Sequence, residues 1–122
     1  MKNTTYGFYK LDSEFLTKAH EINNNVMTDA VYLGPVKTIT TKRGIAALFV
    51  PLAENNRQTT ALEDFIKDGI YCNLKFSAML PVVSQKLLVS ADDEIDDETR
   101  KFYMNHRTAM EKMADREYDT HM

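Results

Sequence analysis

Two hydrophobic periods alternate along this chain, and each change of period marks an element. From Tyr6 to Leu11 aromatic and polar residues alternate, with Tyr6 and Phe8 set against Gly7 and Lys10, which predicts a short strand. Asp12 or Ser13 then caps a helix, because a short side-chain oxygen satisfies the free N–H groups of a first turn. Phe15, Leu16, Ala19 and Ile22 recur at helical spacing and are expected to face the core. Asn23, Asn24 and Asn25 stop that helix. Residues 31–41 read as a strand in which Pro35 implies an edge or a bulge. Lys42, Arg43 and Gly44 form a turn, and the almost continuous apolar run 45–52 reads as a buried strand, giving a hairpin.

After a polar segment, Thr60 and Glu63 match a capping box for a helix over 61–68 that buries Leu62, Phe65 and Ile66 and ends at Gly69. A strand over 71–76 places Cys72, Leu74 and Phe76 on one face, and residues 80–83 and 86–89 are short strand candidates. Acidic residues 92–98 suit the positive end of a last helix, about 96–118, along which Phe102, Tyr103, His106, Met110 and Met113 repeat at three and four. Strands interrupted by helices without a βαβ rhythm imply an α+β fold. The expected architecture is a small, strongly bent, mostly antiparallel sheet or barrel with packed helices.

The length, 122 residues, suits one domain spanning 1–122. No apolar run approaches the roughly 20 residues of a membrane span, so no membrane partner is expected. Residues 1–5 lack the apolar stretch of a secretory signal, and Cys72 has no disulfide partner, so a cytoplasmic protein is expected. The net charge is −3, but it is unevenly spread. Residues 1–91 carry ten Lys/Arg against eight Asp/Glu, and residues 92–122 carry five against ten. A mildly basic body with an acidic last helix is compatible with a local phosphate-binding groove and equally with ordinary surface charge.

No metal site is expected. The acidic run lacks the glycine and alternating ligands of a calcium loop, and His20, His106 and His121 lack zinc spacing. Neither a Gly-rich phosphate loop nor a Gly-x-Ser-x-Gly elbow is present, and no cofactor is expected. Cys72 reads as a small buried hydrophobe. The polar segment 53–60 follows an apolar strand, a position where a rigid scaffold supports functional loops, though an ordinary connection with a helix cap has the same composition. Cleavage of RNA without a metal needs a base for the ribose 2′-OH, a cation for the developing phosphorane and an acid for the 5′-oxygen. Candidates are Glu54 or His106 for proton transfer, Arg57 as the cation, and Thr59 or Thr60 to orient the phosphate. Lys37, Lys42, Arg43 and Lys75 are candidate RNA contacts. His106 on an apolar stripe is also compatible with simple packing.

The order of motifs resembles the ToxN/AbiQ family, the endoribonuclease toxins of type III toxin–antitoxin systems. The matching segments are Phe8-Tyr9-Lys10-Leu11 leading into a helix, Tyr32-Leu33-Gly34, Phe49-Val50-Pro51-Leu52, Cys72-Asn73-Leu74 with Met79-Leu80-Pro81-Val82, and the long last helix. Where that family carries Thr/Ser-Ser-Pro-Lys after its Pro-Leu, this chain has Ala53-Glu54-Asn55-Asn56, and Ala30 stands near the family's basic residue. The resemblance implies a fold like small MazF/Kid-type barrels and metal-independent RNA cleavage in phage defence. It also implies antitoxin RNA and substrate RNA as partners and a homo-oligomer or ring assembled with RNA. Two other readings stand beside it. One is a catalytically degenerate RNA- or protein-binding module in phage–host conflict. The other is a subunit that dimerises through Met104, Met110 and Met113.

Overall fold

The apolar run at 45–52 is central because it is covered on both faces. The computed structural model describes residues 4–52, 74 and 78–120. In it, β2 (Tyr32–Thr41) and β3 (Gly44–Pro51) form the expected hairpin. They are joined by β1 (Gly7–Leu11), β4 (Leu80–Val82) and β5 (Leu88–Ser90) in a sheet of order β4-β3-β2-β1-β5. Every strand pair is antiparallel. Three helices pack on it: α1 (Ser13–Ile22), α2 (Asp97–Asn105) and α3 (Arg107–Thr120). The fold is α+β, as expected.

Alternation along β3 sends Leu48 and Val50 to one face and Ala47 and Phe49 to the other. The first face, with Phe8, Leu33 and Val36, is covered by Phe102, Tyr103, Met110 and Ala114 of α2 and α3. The second, with Tyr32, Leu80 and Val82, is covered by Leu16 of α1 and by Val26. Each fully buried Leu, Val, Phe or Met contributes about 1.5–3 kcal/mol, so the two clusters supply most of the force holding helices to sheet.

Pro35 sits in β2, which lies inside the sheet, so the bulge rather than the edge explains it. Leu33 pairs with Val50 and Lys37 with Leu48, so residues 34–36 stand opposite Phe49 alone. The Gly34–Pro35 peptide is cis. Gly34 packs against the Phe49 ring, where an added Cβ would lie 2.6 Å from Cδ2. The motifs Tyr32-Leu33-Gly34 and Phe49-Val50-Pro51 are therefore two sides of one contact. Tyr32 pairs with Pro51 and Leu33 with Val50, and the Tyr32 hydroxyl donates to the Met27 carbonyl at 2.6 Å.

Four expectations are corrected. Ile22 does not face the core; it is 89% exposed at the last position of α1. The chain reverses at Asn23, whose N–H bonds the Ala19 carbonyl, and Val26 fills the apolar position instead. The strand expected at 86–89 begins only at Leu88, since residues 85–87 form a 3-10 turn with Ser84 accepting from the Lys86 N–H. The acidic run does not run straight into the last helix. Residues 92–94 make a separate 3-10 turn, Asp92 accepts the Phe8 N–H at 2.9 Å, and Asp96 caps α2. The last helix is not continuous either: His106 ends α2 in a non-helical conformation and α3 starts at Arg107.

The helix expected at 61–68, the strand 71–76 apart from Leu74, and Cys72 lie outside the described residues. Leu74 is buried and bridges to Leu52.

Candidate nucleic-acid interface

The β2–β3 turn positions two exposed cations, Lys42 and Arg43. Gly44 has φ +113°, a conformation that side chains resist, so glycine is required there. The Thr41 hydroxyl donates to the Gly44 carbonyl at 2.7 Å and accepts the Arg43 N–H at 3.2 Å. Lys42 and Arg43 are thereby held at the tip, exposed and without an ion pair among the described residues.

Lys37 lies five residues back along β2, roughly 17 Å from the tip. It is opposite Leu48 on the face covered by α3. Its ammonium is 2.5 Å from the Asp115 carboxylate and 5.4 Å from the centre of the Tyr118 ring. Asp115 and Tyr118 are three apart on one helix and so share a face. Beside them a cleft of about 450 Å³ is lined by Ile39, Leu48 and Met79 together with Asn25, Glu117 and Tyr118.

His106 occupies a different place, the junction of α2 and α3. Its ring stacks on Phe102 at 4.3 Å and its Nδ1 lies 2.7 Å from the Phe102 carbonyl. A carbonyl only accepts, so Nδ1 is the donor, and Nε2 is the nitrogen that carries the lone pair whenever the ring is neutral. That tautomer suits proton acceptance at Nε2 and also suits a packed helix terminus. Next to it, the Arg107 guanidinium lies 4.7 Å over the Tyr6 ring and 4.0 Å from Glu111. The Tyr6 hydroxyl donates to the Tyr103 carbonyl at 3.2 Å, and burial holds its pKa far above the ordinary phenol range despite Arg107. Tyr6 therefore ties β1 to α2 as a neutral phenol.

Of the sequence candidates, Lys37, Lys42 and Arg43 share one hairpin, and His106 stands apart on the helices. Glu54, Arg57, Thr59, Thr60 and Lys75 lie outside the described residues. The segment that holds the first four follows Leu52, the residue after β3, whose N–H bonds the Val31 carbonyl at 2.9 Å. Sequence reasoning missed Asp115, Tyr118 and Arg107. The available signal was the three-residue spacing of Asp115 and Tyr118, but only the docking of α3 across β2 gives it meaning. The acidic run is absorbed by structure: Glu94 pairs with Lys10 at 3.0 Å, Asp97 pairs with Arg100, and Asp96 caps a helix. No group of His, Cys, Asp and Glu able to hold a metal occurs among the described residues, and none of their helices is long and apolar enough to cross a membrane.

No family model matches the chain, and no curated protein matches it. Among solved structures it is similar to a ToxN chain from work on bacterial type III toxin–antitoxin systems, in which a non-coding RNA pseudoknot selectively inhibits the toxin. The two share 15% identity and a TM-score of 0.60, over 98% of this chain and 79% of that one. At that identity the likeness is one of fold, and it coincides with the resemblance carried by the strand motifs: this chain has the ToxN fold.

Proposed function

We propose that this protein is the RNA-binding toxin of a type III toxin–antitoxin system, a cytoplasmic endoribonuclease held inactive by an antitoxin RNA and acting in phage defence. The observation that carries the reading is the shared fold with a toxin inhibited by an RNA pseudoknot, extending over 98% of the chain. The exposed Lys42 and Arg43 on a rigid hairpin tip support it, since backbone phosphates are the dominant target of such cations. In the proposed reaction the ribose 2′-oxygen attacks the adjacent phosphorus and the 5′-oxygen leaves. Glu54 or His106 takes the 2′-OH proton and in its protonated form returns one to the leaving 5′-oxygen, Arg57 stabilises the phosphorane, and Thr59 or Thr60 orients the phosphate, leaving a 2′,3′-cyclic phosphate. Lys37, Lys42, Arg43 and Lys75 hold the RNA, and the protein assembles with antitoxin RNA into a homo-oligomer or ring.

The test is induced expression in a bacterial host with total RNA end-mapped alongside growth. The expected result is arrest with new sequence-specific cuts, both lost in Arg57→Ala. Cutting by Arg57→Ala at the parental rate removes Arg57 from the mechanism. Normal growth and intact RNA from a folded product transfer the reading to a non-catalytic RNA- or protein-binding module. The stretch Ala53-Glu54-Asn55-Asn56, lacking the hydroxyl and lysine that the family carries there, favours that second reading.

A further inference from the structure

Lys37 is the cation that the fold treats differently from the other hairpin cations. Its side chain is only 25% exposed, whereas the Asp115 side chain facing it is 57% exposed. The carboxylate is therefore the more accessible member of the pair, the one that solvent and an incoming anion reach more readily. Carboxylate and phosphodiester oxygens are equivalent partners for an ammonium, each a charged acceptor at short distance. Tyr118, one turn further along α3, lies beside the same ammonium and also walls the neighbouring cleft. The cleft, about 450 Å³, falls within the roughly 300–1,000 Å³ of sites that hold small molecules. The Tyr118 ring, apolar Ile39 and Leu48 and the nearby cation supply a π-face for a base and a charge for its phosphate, with Glu117 as the one acidic residue among the described residues of the lining.

We propose that Lys37 and this cleft form an RNA nucleotide subsite that the protein fills itself, the Asp115 carboxylate standing where an RNA phosphate binds. The last helix is thus an internal competitor of RNA. The inference rests on the RNA-binding reading above and adds a regulation to it. Displacement needs only a rotamer change, because Asp115 swings into water while Lys37 keeps a negative partner. An ion pair this accessible is readily exchanged, so the competition is modest in size.

The experiment is binding of a short labelled single-stranded RNA to the full chain across a range of salt concentrations. The variants are Asp115→Asn, Lys37→Met and the double variant, with Glu98→Gln as a charge control on α2. The expected results are tightening of about three- to five-fold in Asp115→Asn, weakening in Lys37→Met, and no gain from Asp115→Asn once Lys37 is gone. Asp115→Asn also steepens the salt dependence by about one phosphate contact. Unchanged affinity in Asp115→Asn, or an equal gain in the Lys37→Met background or in Glu98→Gln, overturns the inference and leaves RNA binding standing. Failure of the parent and every variant to bind RNA overturns both. Thermal melting checks folding, and Asp115→Ser supplies the same charge change should the amide disturb the helix.

Discussion

Replacing Gly34 with alanine probes the contact on which two of the matching sequence motifs meet. A Cβ at position 34 would lie 2.6 Å from Phe49 Cδ2, 3.0 Å from its Cγ and 2.9 Å from the Leu48 carbonyl oxygen. Phe49 is fully buried and the carbonyl belongs to a paired strand, so neither neighbour retreats freely. Overpacking of this kind costs about 1–3 kcal/mol. Against it, alanine restricts the unfolded chain and returns about 0.4–1 kcal/mol. The net expectation is a loss of about 1–2 kcal/mol, which at this length lowers Tm by roughly 4–10 °C. Urea and thermal unfolding followed by circular dichroism measure it. A second variant, Phe49→Leu, removes part of the ring that the new methyl strikes. Gly34→Ala should therefore cost less in that background than in the parent, by more than the ~0.3–0.5 kcal/mol scatter of independent sites. An unchanged or raised Tm in Gly34→Ala, or strict additivity in the pair, refutes the reasoning that Gly34 is there to admit the Phe49 ring.

Met110 has no exposed surface and anchors α3 on the sheet, so Met110→Ala should cost about 2–5 kcal/mol; a loss below ~1 kcal/mol in urea unfolding would mean that α3 is not held by this face. Asp96 accepts the Thr99 N–H at 3.1 Å and the Thr99 hydroxyl at 2.7 Å, and Asp96→Ala should destabilise by about 0.5–2 kcal/mol, with an unaltered urea midpoint counting against the cap. The hydroxyl of Thr99 holds the Asp96 pKa below its ordinary value. A depressed folded pKa gives stability that is present above the unfolded value and lost as pH falls through the folded one. Asp96→Asn should therefore shrink the loss of stability seen on acidification below about pH 4, and an identical pH profile would show that Asp96 does not contribute to it.

Local rules succeeded wherever one element's own residues decide its shape. Asp12 caps α1 through the Phe15 N–H, as a short acceptor before an apolar repeat implies. The run at 45–52 is buried on both faces, as unbroken hydrophobicity without alternation implies. They failed where a neighbour decides. Ile22 has the right spacing for the core, but it stays exposed while Val26, beyond the end of α1, joins the buried cluster. His106 continues the apolar repeat, yet its Nδ1–H takes the Phe102 carbonyl and α2 ends there, with α3 packing on β2 beyond it. The packing of α3 on β2 brings Asp115 and Tyr118 to Lys37, a pairing across 78 residues that no local pattern encodes.

By itself the sequence determined the α+β class, the hairpin, the caps of α1 and the positions of the two strand motifs. Those properties follow from hydrogen-bonding and burial rules acting over a few residues. Only the tertiary structure decided that Gly34 is matched to a ring on the next strand, that the acidic run is consumed by caps and ion pairs, and that Lys37 meets a carboxylate from the last helix. Each of these depends on where rigid elements dock. Docking is set by the sum of many small packing terms rather than by any local motif.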